Sequence, residues 1–504
     1  MRKLFLLLSV CTAGMVQGQK IADPKPFANT ITEADLKTHL YIVASKDFEG
    51  RETATEGQRK AAAYIENHFR SLGLLPGAKD GYQLFYPVFQ DSMTGSGITI
   101  NGHAFTPDQD FYANPATNYT ATLLGGDVVF AGYGISDSTR DDYKGLNVRG
   151  KIVLVLNGQP NNGQAAAPTG RGRRGFNLFA KQDAAQKNGA AAVLVIQSGF
   201  PRKPGSPKGN MNLNGFKKIN YPNTFYISDK VGEAIMGADY AAAVKSATPQ
   251  AKPYTADVEL SFSKTVLQLH SSDVLGFLEG TDLKDQIVVL SAHYDHLGKR
   301  DTVIYYGADD DGSGTVTILE LAQAFAKAKA AGKGPRRSIL FLANSGEEKG
   351  LWGSQYYSEH PTYPLDHTTV DLNIDMIGRI DPNRKKGDST NYVYVVGDDK
   401  LSSDLKPISE GQNKKYSKLE LDYKFNDPTD PERIYYRSDH YNFARKGVPI
   451  IFYFDGIHAD YHKPSDTPDK INYDIMAKRA KFVFYTAWEM ANRNDMLKRD
   501  IPLN

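Results

Sequence analysis

The sequence predicts an α/β protein, a mixed but mostly parallel sheet sandwiched by helices, interrupted by a smaller, inserted β-rich α/β domain. Two observations carry this reading. From Val274 onward, short apolar strands alternate with helices, the rhythm of a sheet covered on both faces. Between about Ser92 and Phe262 the texture changes to short β-rich runs broken by glycines and asparagines. The chain of 504 residues is 40% hydrophobic and 23% charged. That is globular composition, with length for two or three domains at roughly 150 residues each. Wholesale disorder, collagen-like repeats and a polytopic membrane protein are excluded.

Taken in order, residues 1–18 read as a secretory signal: basic Arg2 and Lys3, an apolar run from Leu4 to Val10, then small residues. The run falls short of the ~20 residues a membrane span needs. The mature chain is expected to begin near Gln19, secreted or periplasmic. Cys11, the only cysteine, lies inside this segment. Val10 before it is bulkier than the small residue that lipoprotein anchoring through Cys11 requires, so simple secretion is the reading, and the mature chain has no disulfide. Arg2 and Lys3 account for the whole excess of 60 basic over 58 acidic residues. A neutral mature chain is not built to bind nucleic acid, and no second stretch is long enough for stable membrane insertion.

Residues 19–91 form the first part of the main domain. Ala61, Ala62, Ile65, Phe69 and Leu72 recur at helical spacing within a helical-looking stretch from Ile31 to Leu74, read as packing. The insert, residues 92–262, carries strands at Asp127–Phe130, Lys151–Leu156 and Ala191–Ile196 and a helix from Asn177 to Asn188. Its loop arginines Arg171, Arg173 and Arg174 read as solvated. In residues 263–504 the strands are Gln286–Leu290, Ser338–Leu342, Val370–Ile374, Tyr392–Val396 and Val448–Phe452, with helices at Thr315–Ala331 and Ile475–Asn492.

The chemistry gathers at the strand ends, where open α/β sheets bind ligands. His293, Asp295 and His296 follow one strand, and Asp309, Asp310 and Asp311 precede the next helix. Glu347 and Glu348, then Asp375, end two further strands, and His458 and His462 follow the last. Each piece alone has a bland reading, as a turn, a helix cap or solvated charge. Charged groups at four buried strand ends are costly unless something compensates them. Oxygen ligands with two histidines and no thiol suit Zn2+ or a related divalent ion, and two ions better than one.

These segments, in this order over residues 274–492, resemble the motif set of M28 zinc peptidases, the co-catalytic di-zinc aminopeptidase type, and the insert resembles a protease-associated (PA) domain. The resemblance implies the zinc exopeptidase fold and two Zn2+ per chain. His293 and Asp375 would hold one ion, Glu348 and His462 the other, and Asp310 would bridge them, with Asp309 and Asp311 as alternatives. Asp295 would accept the His293 imidazole N–H, fixing its tautomer. Glu347 would activate a metal-bridging water that attacks the scissile carbonyl, and Tyr461 would stabilise the oxyanion. Arg437 resembles a substrate-contacting position, against an ordinary surface ion pair. His296, His440 and His458 read as rim or packing groups. The implied function is removal of N-terminal residues from peptides. Two rivals stay open: a single-zinc glutaminyl cyclase-like acyltransferase, and a non-catalytic receptor-like protein of the same fold. Residue preference, the role of the insert and oligomeric state also stay open.

Overall fold

The β-branched and aromatic runs form strands. In this computed structural model, which describes residues 21–160, 172–215 and 221–503, the site rests on β1 (Lys252–Leu278), β2 (Leu283–His293), β3 (Arg337–Asn344), β4 (Thr368–Ile374), β5 (Tyr392–Val396), β6 (Glu420–Asp422) and β7 (Ile450–Phe454). They lie in the order β6-β5-β7-β4-β2-β3-β1. The centre is parallel, β2 pairing with β3 and β4, and β4 with β7. β1 on β3 and β5 on β7 are antiparallel. The signal-like segment with Cys11, Arg171 and the side chains of Arg173 and Arg174 lie outside the described residues. No helix among the described residues is long and apolar enough to cross a membrane.

Helices α1 (Glu33–Val43), α2 (Glu56–Ser71), α3 (Gly314–Ala330) and α4 (Tyr473–Asn492) cover one face of this sheet. There Val288, Leu290, Ala292, Ile339 and Phe341 pack with Leu36, Leu40, Ile65, Phe69 and Phe325. The alternate strand residues, Ile287, Val289, Leu340 and Leu342, pack on the other face with Tyr357 and Phe443, from short helices Trp352–Glu359 and His440–Ala444. Side chains of successive strand residues point to opposite faces, so a strand apolar at every position needs cover on both. Each fully buried Leu, Ile or Phe contributes about 1.5–3 kcal/mol.

The stretch read as helical from Ile31 to Leu74 divides. Thr32 caps α1, its hydroxyl accepting the Asp35 N–H at 3.1 Å. After α1 a 3-10 turn, Lys46–Arg51, breaks the helix before α2. Gly50 there has φ of 70°, and a Cβ would collide with the carbonyls of Gly298 and Tyr305. The break brings Arg51 and Thr53 against the end of β2, so this segment does more than pack.

By its contacts the chain divides into one unit of residues 1–86 and 271–504 and a second of residues 87–270, against insert limits of 92 and 262 from the sequence. Both crossings run inside strands, Gln83–Ile100 and β1, where composition does not change. In the second unit, Ala121–Phe130, Ile152–Leu156, Ala192–Ile196 and Asn223–Ile227 pair in parallel, in that order. Val129, Val153, Val155 and Val193 pack with Ala184 and Ala185 of helix Gly172–Lys187. Val128, Phe130, Ile152 and Leu154 pack with Val231 and Ile235.

Candidate active site

Each strand end hands over its polar group through a specific local turn. His293 closes β2, and its ring is fully buried. β3 ends at Asn344, and Gly346, with φ of 73°, turns the chain so that Glu347 and Glu348 follow in a 3-10 turn. Asp375 follows β4 directly. His462 lies in the loop after β7 with a left-handed backbone (φ 57°), uncommon for a non-glycine residue and of the kind retained at functional sites.

Among the three aspartates before α3, Asp310 is the one that faces His293, His296 and His462. Asp311 accepts the N–H groups of Gly314 (2.8 Å) and Met376 (3.0 Å). Asp309 accepts the N–H of Gly378 (2.7 Å) and lies 3.2 Å from His458 Nε2. Asp466 accepts the main-chain N–H groups of Asp309 (2.9 Å) and Asp310 (3.2 Å), fixing the loop that presents Asp310.

Two groups of donors result, sharing Asp310. In the first, His293 Nε2 lies 3.3 Å from Asp310 Oδ1 and 3.5 Å from Asp375 Oδ1. In the second, His462 Nε2 lies 3.0 Å from Asp310 Oδ2 and 3.2 Å from Glu348 Oε2, and His296 Nδ1 lies 2.7 Å from Glu348 Oε1. A tetrahedral zinc ion with ligands at about 2.05 Å sets its donors about 3.3–3.4 Å apart, within the spread seen here. His293 Nε2, Asp310 Oδ2 and Glu348 Oε1 are buried without a hydrogen-bond partner. Such atoms are costly unless they converge on a cation. Hard oxygen and imidazole donors of this kind fit zinc.

The field of the cluster is anionic. Burial opposes charge on His462, yet its contacts with Asp310 and Glu348 pull its pKa up to about 10. Burial, with Glu348 and Asp375, pushes the Glu347 carboxyl well above the usual range against the pull of His293. Glu347 Oε2 lies 3.9 Å from His293 Nε2, beside the first group.

One sequence-based expectation, the partner of the His293 ring, needs correcting. The Asp295 carboxylate is 3.7 Å from His293 Nδ1. Nδ1 instead meets the Asp295 main-chain carbonyl at 3.1 Å. The carboxylate is taken up by the Glu347 N–H (3.1 Å) and the Thr53 hydroxyl (2.7 Å). It therefore anchors the loop of Glu347, while a carbonyl holds the ring. His296, read as a rim or packing group, is fully buried inside the second donor group. His458 binds Asp309, and His440 packs: its Nε2 meets the Tyr435 carbonyl at 2.8 Å and its ring stacks on Phe452. Sequence reasoning missed Arg51, whose buried guanidinium donates to the carbonyls of Val43, Tyr294, Tyr306 and Gly307 at 2.7–2.9 Å. It lay in a stretch whose helical period gave no reason to look for contacts.

A cavity opens over the first group, walled by Asp310, Glu347 and Asp375 and by the apolar side chains of Ile434, Phe452, Phe454 and Ile457. Tyr461 and Arg437 also line it, the guanidinium donating to the phenol oxygen at 3.1 Å. Burial, then the charge of Asp310, raise the Tyr461 phenol above its usual range, so it stays a protonated donor.

Residues 273–487 match the model of peptidase family M28, and residues 120–235 that of the PA domain. A probable leucine aminopeptidase of Trichophyton verrucosum is 31% identical over 214 residues, covering 41% of this chain and 55% of that protein. The chain thus spans about half the length of such curated fungal relatives. Aminopeptidase YwaD of Bacillus subtilis is 24% identical over 98% of this chain and 95% of its own. Among solved structures, an aminopeptidase from Aneurinibacillus sp. strain AM-1 superposes with a TM-score of 0.54 at 19% identity, covering 96% of this chain and 99% of that one. A zinc aminopeptidase from Bacillus subtilis gives 0.53 at 20%, covering 94% and 97%. These likenesses agree in fold with the sheet described above: the chain is similar to peptidase family M28 over residues 273–487 and to the PA domain over residues 120–235.

Proposed function

We propose that this chain is a secreted, two-zinc exopeptidase that removes N-terminal residues from peptides. The observation that carries the proposal is the pair of donor groups sharing Asp310, with Glu347 beside them on the same cavity. His293, Asp310 and Asp375 would hold one zinc ion; Asp310, Glu348 and His462 would hold the other. When bound, zinc here supplies Lewis-acid polarisation and lowers the pKa of a bound water toward neutrality. The remaining work belongs to the chain. Glu347, desolvated and raised in pKa, takes a proton from the attacking water and returns it to the leaving amine. The Tyr461 phenol donates to the carbonyl oxygen as it gains charge. Arg437 holds the Tyr461 oxygen and so sets that donor's direction.

The cavity's charge favours a peptide amine over a carboxylate, since three carboxylates line it and its arginine is already engaged with Tyr461. Its apolar wall of Ile434, Phe452, Phe454 and Ile457 fits an apolar N-terminal side chain, in keeping with the relatives named leucine aminopeptidase. Hydrolysis of leucyl-p-nitroanilide should be lost to a chelator and restored by Zn2+, and the N-acetylated substrate should resist. Activity that survives chelation, or equal cleavage of the acetylated substrate, would overturn the proposal.

A further inference from the structure

We infer that His296 is a fourth protein ligand of the second cation position, which makes that position closed and the first the open one. The inference rests on the two-ion reading above and goes beyond it, because that reading gives each ion three protein donors. His296 is fully buried, and neither ring nitrogen has a hydrogen-bond partner. Its Nδ1 lies 2.7 Å from Glu348 Oε1 and 3.9 Å from Asp310 Oδ2, yet Nδ1 and Oε1 are not aligned as a hydrogen bond. A nitrogen and an oxygen that approach so closely without pointing at each other are aimed at a common third point, as two ligands of one ion are.

The backbone is arranged for this. The His296 N–H is pinned by the Arg51 carbonyl at 3.3 Å. Opposite the ring stands Gly307, with φ of 55°, where a Cβ would collide with the His296 ring and the Asp310 carbonyl. Glycine there leaves room for the imidazole and the left-handed turn together. The second position then has four protein donors, Asp310, Glu348, His462 and His296. The first has three donors and borders the cavity beside Glu347. Zinc sites with four protein ligands are closed and structural, and those with three keep a place for chemistry. The second ion is therefore the tighter one, and the first the exchangeable one.

The test is metal affinity. Chelator-stripped full-length chain is titrated with Zn2+ against a competing chromophoric chelator, and with Co2+ to read its visible absorption. Wild type should take up two ions, one distinctly tighter. His296→Ala should weaken the tighter ion about 100-fold or more and alter its Co2+ band, leaving the weaker ion within a few fold. His296→Asn, which places an amide N–H near Nδ1, should not restore affinity. If His296→Ala does not keep wild-type circular dichroism, His296→Asn alone carries the comparison. Unchanged affinity and Co2+ spectrum in either variant refute ligation, and full rescue by His296→Asn would mean that the ring orients Glu348 instead. A wild-type chain that binds one ion or none refutes the two-ion reading itself, an outcome distinct from failure of the His296 assignment.

Discussion

Replacing Glu347 by Gln isolates proton transfer from every other part of the site. The side chains match in size, and what holds this loop is the Glu347 main-chain N–H on Asp295 Oδ1 at 3.1 Å, which the substitution keeps. The carboxyl is in neither donor group, so both ions should remain. What is lost is a base whose proton affinity is raised by burial and by Glu348 and Asp375. General-base catalysis contributes about 10²–10⁴-fold, which at about 1.4 kcal/mol per decade is about 2.7–5.5 kcal/mol of barrier. Because this base sits in a desolvated pocket with no neighbouring histidine free to replace it, a loss near the upper end is expected. The assay is steady-state hydrolysis of leucyl-p-nitroanilide beside metal analysis of the same preparation. The expected result is kcat down by about 10³–10⁴, KM within a few fold and zinc unchanged. Turnover within tenfold of wild type would refute Glu347 as the base, and loss of zinc would make it a ligand instead.

Tyr461→Phe should lower kcat by about 10²–10³ with little change in KM; an equal rise in KM would make the phenol a ground-state contact. His462→Ala should lower zinc content, measured by elemental analysis, and His458→Ala should not, since His458 is committed to Asp309. Thr53→Val leaves Asp295 Oδ2 buried without its 2.7 Å donor and should reduce stability by about 1–3 kcal/mol, read as a lower thermal midpoint. His440, whose pKa burial holds down to about 3, should shape the acid limb of stability. The unfolded imidazole takes up a proton near pH 6.5 and the folded one only near 3, so stability falls as pH drops through that window, by about 1.4 kcal/mol per unit. His440→Phe keeps the stack on Phe452 and should flatten midpoint against pH between 6.5 and 4; an unchanged slope would place the titration elsewhere.

What was legible in the sequence follows from where the determinants lie. The strands β2, β3 and β5 hold continuous apolar runs because both faces are covered, and such a run cannot hide in composition; β4 instead alternates, with Val370, Leu372 and Ile374 between polar residues. The polar residues that end them stand out for the same reason, so His293, Glu347, Glu348 and Asp375 could be picked out directly. Choosing Asp310 from three neighbouring aspartates is a different problem. Local sequence treats them alike, and they are told apart by partners far along the chain: Met376 and Gly378 after β4, and Asp466 after β7.

The same logic explains why the surroundings of Asp295 and His296 were not legible in the sequence. Proximity in sequence suggested that Asp295, two residues beyond His293, should hold its ring. In the folded chain the break between α1 and α2 brings Thr53 to that carboxylate and Arg51 to the carbonyls of Tyr294 and Gly307, a contribution from some 240 residues away. Once the carboxylate is taken by Thr53 and the Glu347 N–H, only the Asp295 carbonyl is left to meet Nδ1. The Arg51 carbonyl, by accepting the His296 N–H, fixes where that ring begins, and Gly307 leaves it the space to turn toward Glu348. A helical period of three and four along residues 31–74 describes which side chains pack, and it is silent about the twelve residues where the helix stops. Those residues tie the backbone of one donor loop to the side chain beneath the other.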